Sequence, residues 1–201
     1  MPYDTQEWDG RYRQPGYWAG REPAEFLREV LPLLPRGTAL DLASGEGRNG
    51  IFLAQQAYQV FAVERSRVGL EKTETLAREC GVACHWATQL TLPHKPDAQL
   101  FLVQADLETF ALPSAQFDVV LCFKFLQRSL LPLLPRALRR HGMLVYETHT
   151  LAQLKFASGP RSPEFLLQPG ELRAAFSAME ILFYSELCAG KGMASLLARK
   201  F

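Results

Sequence analysis

A short glycine-rich stretch carries the residues best suited to ligand chemistry. Residues 39–50 read Ala-Leu-Asp-Leu-Ala-Ser-Gly-Glu-Gly-Arg-Asn-Gly, so an apolar run leads into Gly45 and Gly47. Glycines at this spacing let the backbone turn tightly and let a ligand approach closer than any side chain permits. A helix that begins just after them offers free N–H groups and the positive end of its dipole. The stretch therefore predicts a ligand-binding turn between a strand and a helix.

Three carboxylates lie at or just beyond the ends of three successive apolar runs, in the order Asp41, Glu64 and Asp106. The carboxyl ends of neighbouring strands form the ligand crevice of open α/β sheets, so we expect these acids at one edge. Asp41 suits a ligand with an ammonium group and repels a pyrophosphate. Glu64 is placed to bind a ribose diol, and Asp106 is placed to accept from an adenine amino group.

The glycine pattern by itself leaves two ligand classes open. Gly45 to Gly50 also matches G-x-G-x-x-G, the fingerprint of dinucleotide-binding domains, in which a later acid binds ribose. The charge of Asp41 and the placement of Asp106 favour a nucleoside that carries an ammonium group. A NAD-type nucleotide-dependent oxidoreductase is the alternative enzyme, and a protein that binds ligand without turnover is a third hypothesis.

The elements that position these groups alternate between strands and helices. Apolar runs predict strands at 38–42, 59–63, 100–104, 117–122 and 143–148, and helical patterns cover 47–56, 67–80, 125–140 and 169–176. This alternation predicts an α/β fold with a doubly wound, mostly parallel sheet. The last two runs, 180–187 and 193–199, are joined by a connection too short for a crossover, so they are expected to form an antiparallel hairpin.

These motifs resemble those of the class I S-adenosylmethionine-dependent methyltransferases, which have a Rossmann-like fold. The segments similar to that family's first four motifs are Asp41 to Gly47, Val63-Glu64, Ala105-Asp106-Leu107 and Phe117 to Cys122. The resemblance implies that S-adenosylmethionine is the cofactor and that the turn at Gly45 holds its amino-acid part. It also implies that Glu64 binds the ribose, and that Asp106 with the Leu107 amide binds the adenine.

A narrower resemblance is to bacterial methyltransferases of the tellurite-resistance type. It rests on Trp8-Asp-Gly-Arg-Tyr12, on residues 42–49 and on residues 163–172. Where that family commonly has Gly-Cys, this chain has Ala43-Ser44. The two resemblances together imply cofactor contacts from Trp8, Arg11, Tyr12, Asp41, Ala43, Gly45, Gly47, Asn49, Glu64, Arg65, Asp106, Leu107 and Cys122.

The sequence contains fewer signals for the residues that would bind the methyl acceptor. Transfer from a sulfonium needs alignment more than acid–base chemistry, so the chain need not contain a catalytic residue. Lys124 and His149 are the candidates, Lys124 (together with Arg128) for attracting an anion and His149 for serving as a base. Enzymes that methylate amide or base nitrogens resemble one another in an Asn/Asp-Pro-Pro-aromatic motif, which is absent here. We expect a small acceptor such as a thiol, a chalcogen oxyanion or another small anion.

Composition limits the remaining classes. The chain has 201 residues and a net charge of +1, which suits one main domain and disfavours nucleic-acid binding. Its four cysteines are sparse and lack finger-like spacing, so we expect no metal and a cytoplasmic location away from membranes. Residues 1–24 are expected to form an N-terminal arm or lid, and 25–201 the methyltransferase domain of a monomer or homodimer. Residues 81–99 are expected at the amino ends of the strands, where Trp86 and its neighbours pack.

Overall fold

The structure is a computed structural model that describes residues 5–90 and 100–201. It divides into two compact units, one formed by Met1–Glu29 and Arg36–Ala111 and the other by Val30–Pro35 and Leu112–Phe201. Within the described residues, four strands belong to the first unit and four to the second, with bounds given below. The predicted α/β fold with a mostly parallel sheet is confirmed.

The first unit holds four parallel strands in the order β3-β4-β2-β1. These are β1 (Thr38–Leu42), β2 (Gln59–Glu64), β3 (Cys84–Ala87) and β4 (Leu100–Gln104). Its helices are α1 (Thr5–Tyr12), α2 (Glu25–Val30, whose last residue falls in the second unit), α3 (Arg48–Gln55) and α4 (Arg67–Glu79). Nearly every residue of β1, β2 and β4 is buried, as expected for parallel strands covered on both faces.

The second unit combines a parallel pair with an antiparallel hairpin. Its strands are β5 (Phe117–Phe123), β6 (Leu138–His149), β7 (Glu180–Leu187) and β8 (Met193–Arg199), and its helices are α5 (Leu134–Ala137) and α6 (Glu171–Ala175). Strand β5 is parallel to β6, whereas β8 runs antiparallel to both β6 and β7. Short 3-10 turns cover Leu31–Leu33, Leu131–Leu133, Leu151–Lys155 and Pro163–Phe165. The predicted terminal hairpin is confirmed with its predicted bounds.

The predicted helix over 125–140 is wrong. The structure has only a 3-10 turn followed by α5, and from Leu138 onward the chain already belongs to β6. Pro132 and Pro135 explain the difference, because proline lacks the N–H of a helical hydrogen bond and restricts the residue before it. Gly142, two residues beyond the predicted helix, lies inside β6.

Residues 81–90 contain a strand that the sequence analysis missed. Strand β3 runs parallel to β4, with Cys84 opposite Leu100, so the chain leaves β3 at the carboxyl edge of the sheet. The expectation that all of 81–99 lies at the amino ends is therefore wrong for residues 88–90, which follow β3. Residues 91–99, with His94 among them, lie outside the described part. Within 5–90 and 100–201, no helix has the length and apolar character needed to cross a bilayer.

Candidate functional site

The glycine-rich turn follows β1 in the first unit and has an unusual backbone. Ala43, Gly45 and Gly47 all have positive φ, at 51°, 58° and 81°, and Gly47 is the N-cap of α3. The N–H of Ser44 donates to the carbonyl of Val63 over 3.1 Å, which fixes the turn against the end of β2. A left-handed backbone at an alanine costs roughly 1–2 kcal/mol, and such strain is typical of ligand-binding turns.

Two buried polar atoms of this segment lack a hydrogen-bond partner. Within the described residues they are Asp41 Oδ2 and Ser44 Oγ. Asp41 is only 2% exposed, and burial raises its pKa from 3.8 to about 7, against the lowering effect of the Gly50 backbone and Arg48. A buried polar group without a partner costs roughly 1–3 kcal/mol, which a polar ligand would recover.

Glu64 is the last residue of β2, and its carboxylate holds the glycine turn. Oε2 accepts from the N–H of Gly45 over 2.9 Å, and Oε1 accepts from the N–H of Ser66, also over 2.9 Å. Burial raises the pKa of Glu64, although these backbone N–H groups act in the opposite direction. Each carboxylate oxygen accepts about two hydrogen bonds, so Glu64 keeps capacity for a ligand hydroxyl.

The third acid lies just beyond β4. The N–H of Ala105 donates to the carbonyl of Glu64 over 3.0 Å, which brings this segment beside the end of β2. Asp106 forms an ion pair with Arg65 at 3.1 Å and accepts from the N–H of Glu108 over 3.0 Å. Both side chains of the ion pair remain 31% exposed, and the neighbouring Leu107 is buried. Backbone contacts therefore connect the carboxyl ends of β1, β2 and β4, where the three predicted acids lie.

Helix α1 packs on the same turn. Tyr12 is buried, and a Cβ built on Gly45 would lie 3.0 Å from its hydroxyl oxygen. Burial raises the pKa of Tyr12, with further increases from the charges of Glu64 and Glu46, so the phenol stays protonated. Trp8 lies with its ring 5.5 Å from that of Tyr12, and the Arg11 guanidinium lies 4.5 Å from the Trp8 ring. The three residues predicted from the N-terminal motif therefore form one cluster beside the turn.

The sequence analysis missed a second connection between the arm and the turn. Glu46, 5% exposed, forms an ion pair with Lys72 at 2.9 Å and accepts from the N–H of Trp18 over 2.6 Å. Lys72 also donates to the carbonyls of Gln14 and Gly16, over 3.0 and 2.6 Å. Glu46 lies between the two glycines, and no local pattern distinguishes it from a solvated acid.

Asn49 makes a different contact from the one expected. Its Oδ1 accepts from the N–H of Ala24 over 2.9 Å, and the side chain is 6% exposed. Asn49 therefore attaches the start of α2 to α3. A direct cofactor contact by Asn49 stays a prediction.

The remaining predicted residues belong to the second unit. Cys122 is fully buried within β5, with Sγ 3.9 Å from the carbonyl of Phe125. Lys124 follows β5 with a φ of 55°, and its N–H donates to the carbonyl of Glu147 over 2.7 Å. His149 ends β6. Arg128 makes a bidentate ion pair with Glu171, at 2.7 and 2.9 Å, so its guanidinium serves a structural contact.

Neither a metal cluster nor a disulfide occurs in the described parts of the chain. No group of three or more His, Cys, Asp or Glu side chains could hold a metal ion there, and all four cysteines, each within those parts, are thiols.

A family model described as a methyltransferase domain matches residues 40–145, more than half of the chain. No curated protein matches the sequence.

Solved methyltransferase structures share the fold. A crystal structure of an S-adenosylmethionine-dependent methyltransferase from Aquifex aeolicus aligns with a TM-score of 0.67 at 15% identity, covering 99% of this chain and 100% of that one. TehB from Haemophilus influenzae aligns at 0.65 and 18% identity, covering 88% of this chain and 62% of TehB. SpnF, described as a 4+2 cyclase, aligns at 0.64 and 18% identity over 92% of this chain and 86% of SpnF. Identities this low establish the fold alone.

Proposed function

The chain belongs to the methyltransferase-domain family, and we propose that it binds S-adenosylmethionine in its first unit and transfers the methyl group to a small molecule. One observation carries the proposal. The two buried polar atoms without partners, Asp41 Oδ2 and Ser44 Oγ, both lie at the glycine-rich turn. A ligand with an ammonium and a carboxylate group offers hydrogen bonds to both. The residues present therefore fit the amino-acid part of the cofactor.

The roles of the surrounding residues follow from their chemistry. The turn at Gly45 and Gly47 admits the amino-acid part, Glu64 offers acceptor oxygens to a ribose diol, and Asp106 with the Leu107 amide suits an adenine edge. Ala43, Asn49 and Arg65, all in the same unit, are proposed as further contacts. The bound sulfonium supplies a methyl group that is already activated for displacement.

The protein's own contribution is alignment and exclusion of water. Positioning of this kind is worth up to roughly 7–11 kcal/mol in well-oriented reactions. We propose that the cluster of Trp8, Arg11 and Tyr12 forms part of a lid over the cofactor. The buried, protonated Tyr12 beside Gly45 supports this role, as do the bonds of Glu46 and Lys72 to residues 14–18.

A small acceptor and a cytoplasmic location complete the proposal. The net charge of +1 gives no strong attraction to a polyanion, and four unbridged thiols are typical of a reducing compartment. The tellurite-resistance type is supported by the N-terminal motif and by the likeness to TehB. Monomer and homodimer are both compatible with this chemistry.

A second candidate function comes from the likeness to SpnF, which its description calls a cyclase. The shared fold makes a methyltransferase-like protein without methyl transfer a definite alternative. The buried Asp41 argues against the nucleotide-dependent oxidoreductase, since a pyrophosphate near this acid would be repelled.

Calorimetry with S-adenosylmethionine, S-adenosylhomocysteine and NAD tests the cofactor assignment. We expect both adenosyl ligands to bind the wild type, and NAD not to bind. Gly45→Ala is expected to lose at least tenfold in affinity, because the new Cβ adds strain at a φ of 58° and meets the Tyr12 hydroxyl at 3.0 Å. Gly81→Ala is the matched control, with a φ of 69° and nothing within 4 Å of the new Cβ. NAD binding without adenosyl binding would overturn the proposal.

Release of S-adenosylhomocysteine across a panel of small thiols, hydroxy acids, phenols and chalcogen oxyanions tests the transfer. Cofactor binding without release on any acceptor would favour the alternative without methyl transfer.

A further inference from the structure

Lys72 of α4 connects the N-terminal arm to the glycine-rich turn, and all of these residues lie in the first unit. Its ammonium donates to the carbonyls of Gln14 and Gly16, over 3.0 and 2.6 Å, and to Oε1 of Glu46 over 2.9 Å. A lysine ammonium carries three donors, so each donor has an acceptor here. Two of the acceptors belong to the arm, and the third belongs to the residue between the two glycines of the turn.

The carboxylate of Glu46 joins the same two segments. Its Oε2 accepts from the N–H of Trp18 over 2.6 Å, while its Oε1 accepts from Lys72. The Glu46 side chain is 3% exposed and that of Lys72 is 24% exposed, so the ion pair is largely withdrawn from water. Removing one partner of such a pair leaves the other charge buried and unpaired, which destabilises the fold. Each of the two residues therefore depends on the other.

The backbone of α4 fixes Lys72 relative to the turn. The hydroxyl of Thr73, the next residue, donates to the carbonyl of Gly45 over 3.3 Å, and a Cβ on Gly47 would lie 2.2 Å from Thr73 Cγ2. A Cβ on Gly69 would lie 2.9 Å from the same Gly45 carbonyl oxygen. Residues three apart on a helix share a face, so Gly69 and Lys72 both lie on the side of α4 that packs on the turn. Any segment that the ammonium holds is therefore held at the turn.

The arm has little regular structure of its own at this point. Residues 13–24 lie between α1 and α2 and contain neither helix nor strand. Their later part is attached to the start of α3, where Asn49 accepts from the N–H of Ala24 over 2.9 Å. Their earlier part, residues 14–18, is attached by the ion pair described above. An irregular segment of this kind opens easily, so these side-chain bonds determine whether residues 14–18 are docked.

We propose that Lys72 and Glu46 are positioning residues that couple the docking of residues 14–18 to cofactor binding at the glycine-rich turn. The inference rests on the proposed function and adds a device by which the bound ligand is retained. A ligand at the turn fixes the backbone on both sides of Glu46, so the carboxylate is held where Lys72 and the Trp18 N–H meet it. Because coupling between two equilibria is reciprocal, docked residues 14–18 strengthen ligand binding in turn.

Amide hydrogen exchange followed by NMR measures the docking directly. The Trp18 N–H reports on it because this group donates to Glu46, and the Ala24 N–H is the internal control because it donates to Asn49. In the cofactor-free protein, Lys72→Met should exchange the Trp18 amide at least about tenfold faster than the wild type, with the Ala24 amide unchanged. S-adenosylhomocysteine should slow exchange at Trp18 in the wild type but not in Lys72→Met. Equal protection of Trp18 in both proteins would overturn the inference.

The ligand side of the coupling is measured by stopped-flow binding and release of S-adenosylhomocysteine. Lys72→Met is expected to raise the dissociation rate at least about tenfold while the association rate stays within about twofold, since affinity differences between related complexes lie mostly in dissociation. Arg78→Met removes the same charge from an exposed position of the same helix, and it should leave both rates unchanged.

A double variant separates positioning from stability. Lys72→Met leaves Glu46 as a buried unpaired charge, and adding Glu46→Gln removes that charge without restoring the connection to residues 14–18. The double variant should therefore recover stability toward urea relative to Lys72→Met, yet keep the fast ligand release. Recovery of the wild-type dissociation rate together with stability would show that Lys72 acts on stability alone, which overturns the inference.

The failure of the proposed function looks different. A wild type that binds neither S-adenosylmethionine nor S-adenosylhomocysteine contradicts the proposed function and removes the basis of the coupling. A wild type that binds them, but whose Trp18 amide exchanges equally fast with and without ligand, contradicts this inference alone.

Discussion

Asp41→Asn is expected to stabilise the cofactor-free protein while it removes cofactor binding. The side chain is 2% exposed, and burial raises its pKa from 3.8 to about 7. The folded state therefore holds its proton more tightly than the unfolded chain does. Above pH 3.8, the pKa of Asp41 in the unfolded chain, ionisation of this carboxyl favours unfolding. The resulting loss of folding free energy grows with pH and levels off above about pH 7, the pKa in the folded protein.

The magnitude follows from the shift. With 1.36 kcal/mol per pKa unit, the shift makes the ionised carboxylate cost about 4 kcal/mol at pH 8. At pH 5 the folded protein keeps the proton, and the same relation leaves a cost of about 2 kcal/mol. Asparagine has nearly the same shape and no charge, so Asp41→Asn should exceed the wild type in unfolding free energy by about these amounts.

The assay is urea denaturation followed by tryptophan fluorescence at pH 5 and pH 8, without cofactor. Glu108→Gln makes the same change in charge at an exposed position, and it should alter the unfolding free energy little at either pH. Calorimetry on the same samples should show that Asp41→Asn no longer binds S-adenosylmethionine. A variant no more stable than the wild type at pH 8, or an advantage that does not change with pH, would refute the reasoning.

Three further changes test the surrounding structure. Ala43→Gly is expected to raise the unfolding free energy by about 0.5–1 kcal/mol in urea denaturation, because glycine tolerates the positive φ but gains entropy when unfolded. A less stable variant would show that the left-handed turn carries no strain. Glu171 has a lowered pKa, since the bonds from Arg128 and the Gln168 N–H outweigh the raising effect of burial. The ionised Glu171 therefore stabilises the folded protein above its ordinary pKa of 4.5, and this stabilisation is lost as pH falls through the lowered pKa. The difference in unfolding free energy between wild type and Arg128→Ala should accordingly shrink as pH is lowered below 4.5. A difference that is constant with pH would contradict the ion pair. Asp106→Ala should weaken cofactor affinity in calorimetry by roughly 1–3 kcal/mol, and unchanged affinity would remove this residue from the site.

The strands and the acids at their ends were predictable because their signals are local. A buried parallel strand is a short apolar run, and the residue that follows it lies at the carboxyl edge wherever the strand pairs. This is why the positions of Asp41, Glu64 and Asp106 follow from the sequence. The prediction of a helix over 125–140 was wrong for a local reason as well, because Pro132 and Pro135 interrupt the helix that the apolar periodicity around them suggests. Strand β3 was missed because none of its four residues is buried and they form no continuous apolar run.

The contacts that complete each site join residues far apart in the chain, and no spacing rule predicts them. Glu46, in the turn before α3, pairs with Lys72 of α4, and Gln153 accepts from Gly192 in the connection between β7 and β8. In both places a buried polar side chain holds a segment next to a residue that the sequence did single out, Gly45 in one unit and His149 in the other. Burying a glutamine or glutamate costs free energy unless its hydrogen bonds are satisfied. The partners that satisfy such a side chain depend on where the fold places it and cannot be inferred from the residue type. The sequence names the groups that could do chemistry, and the burial of their neighbours determines which proton or hydrogen bond each one holds.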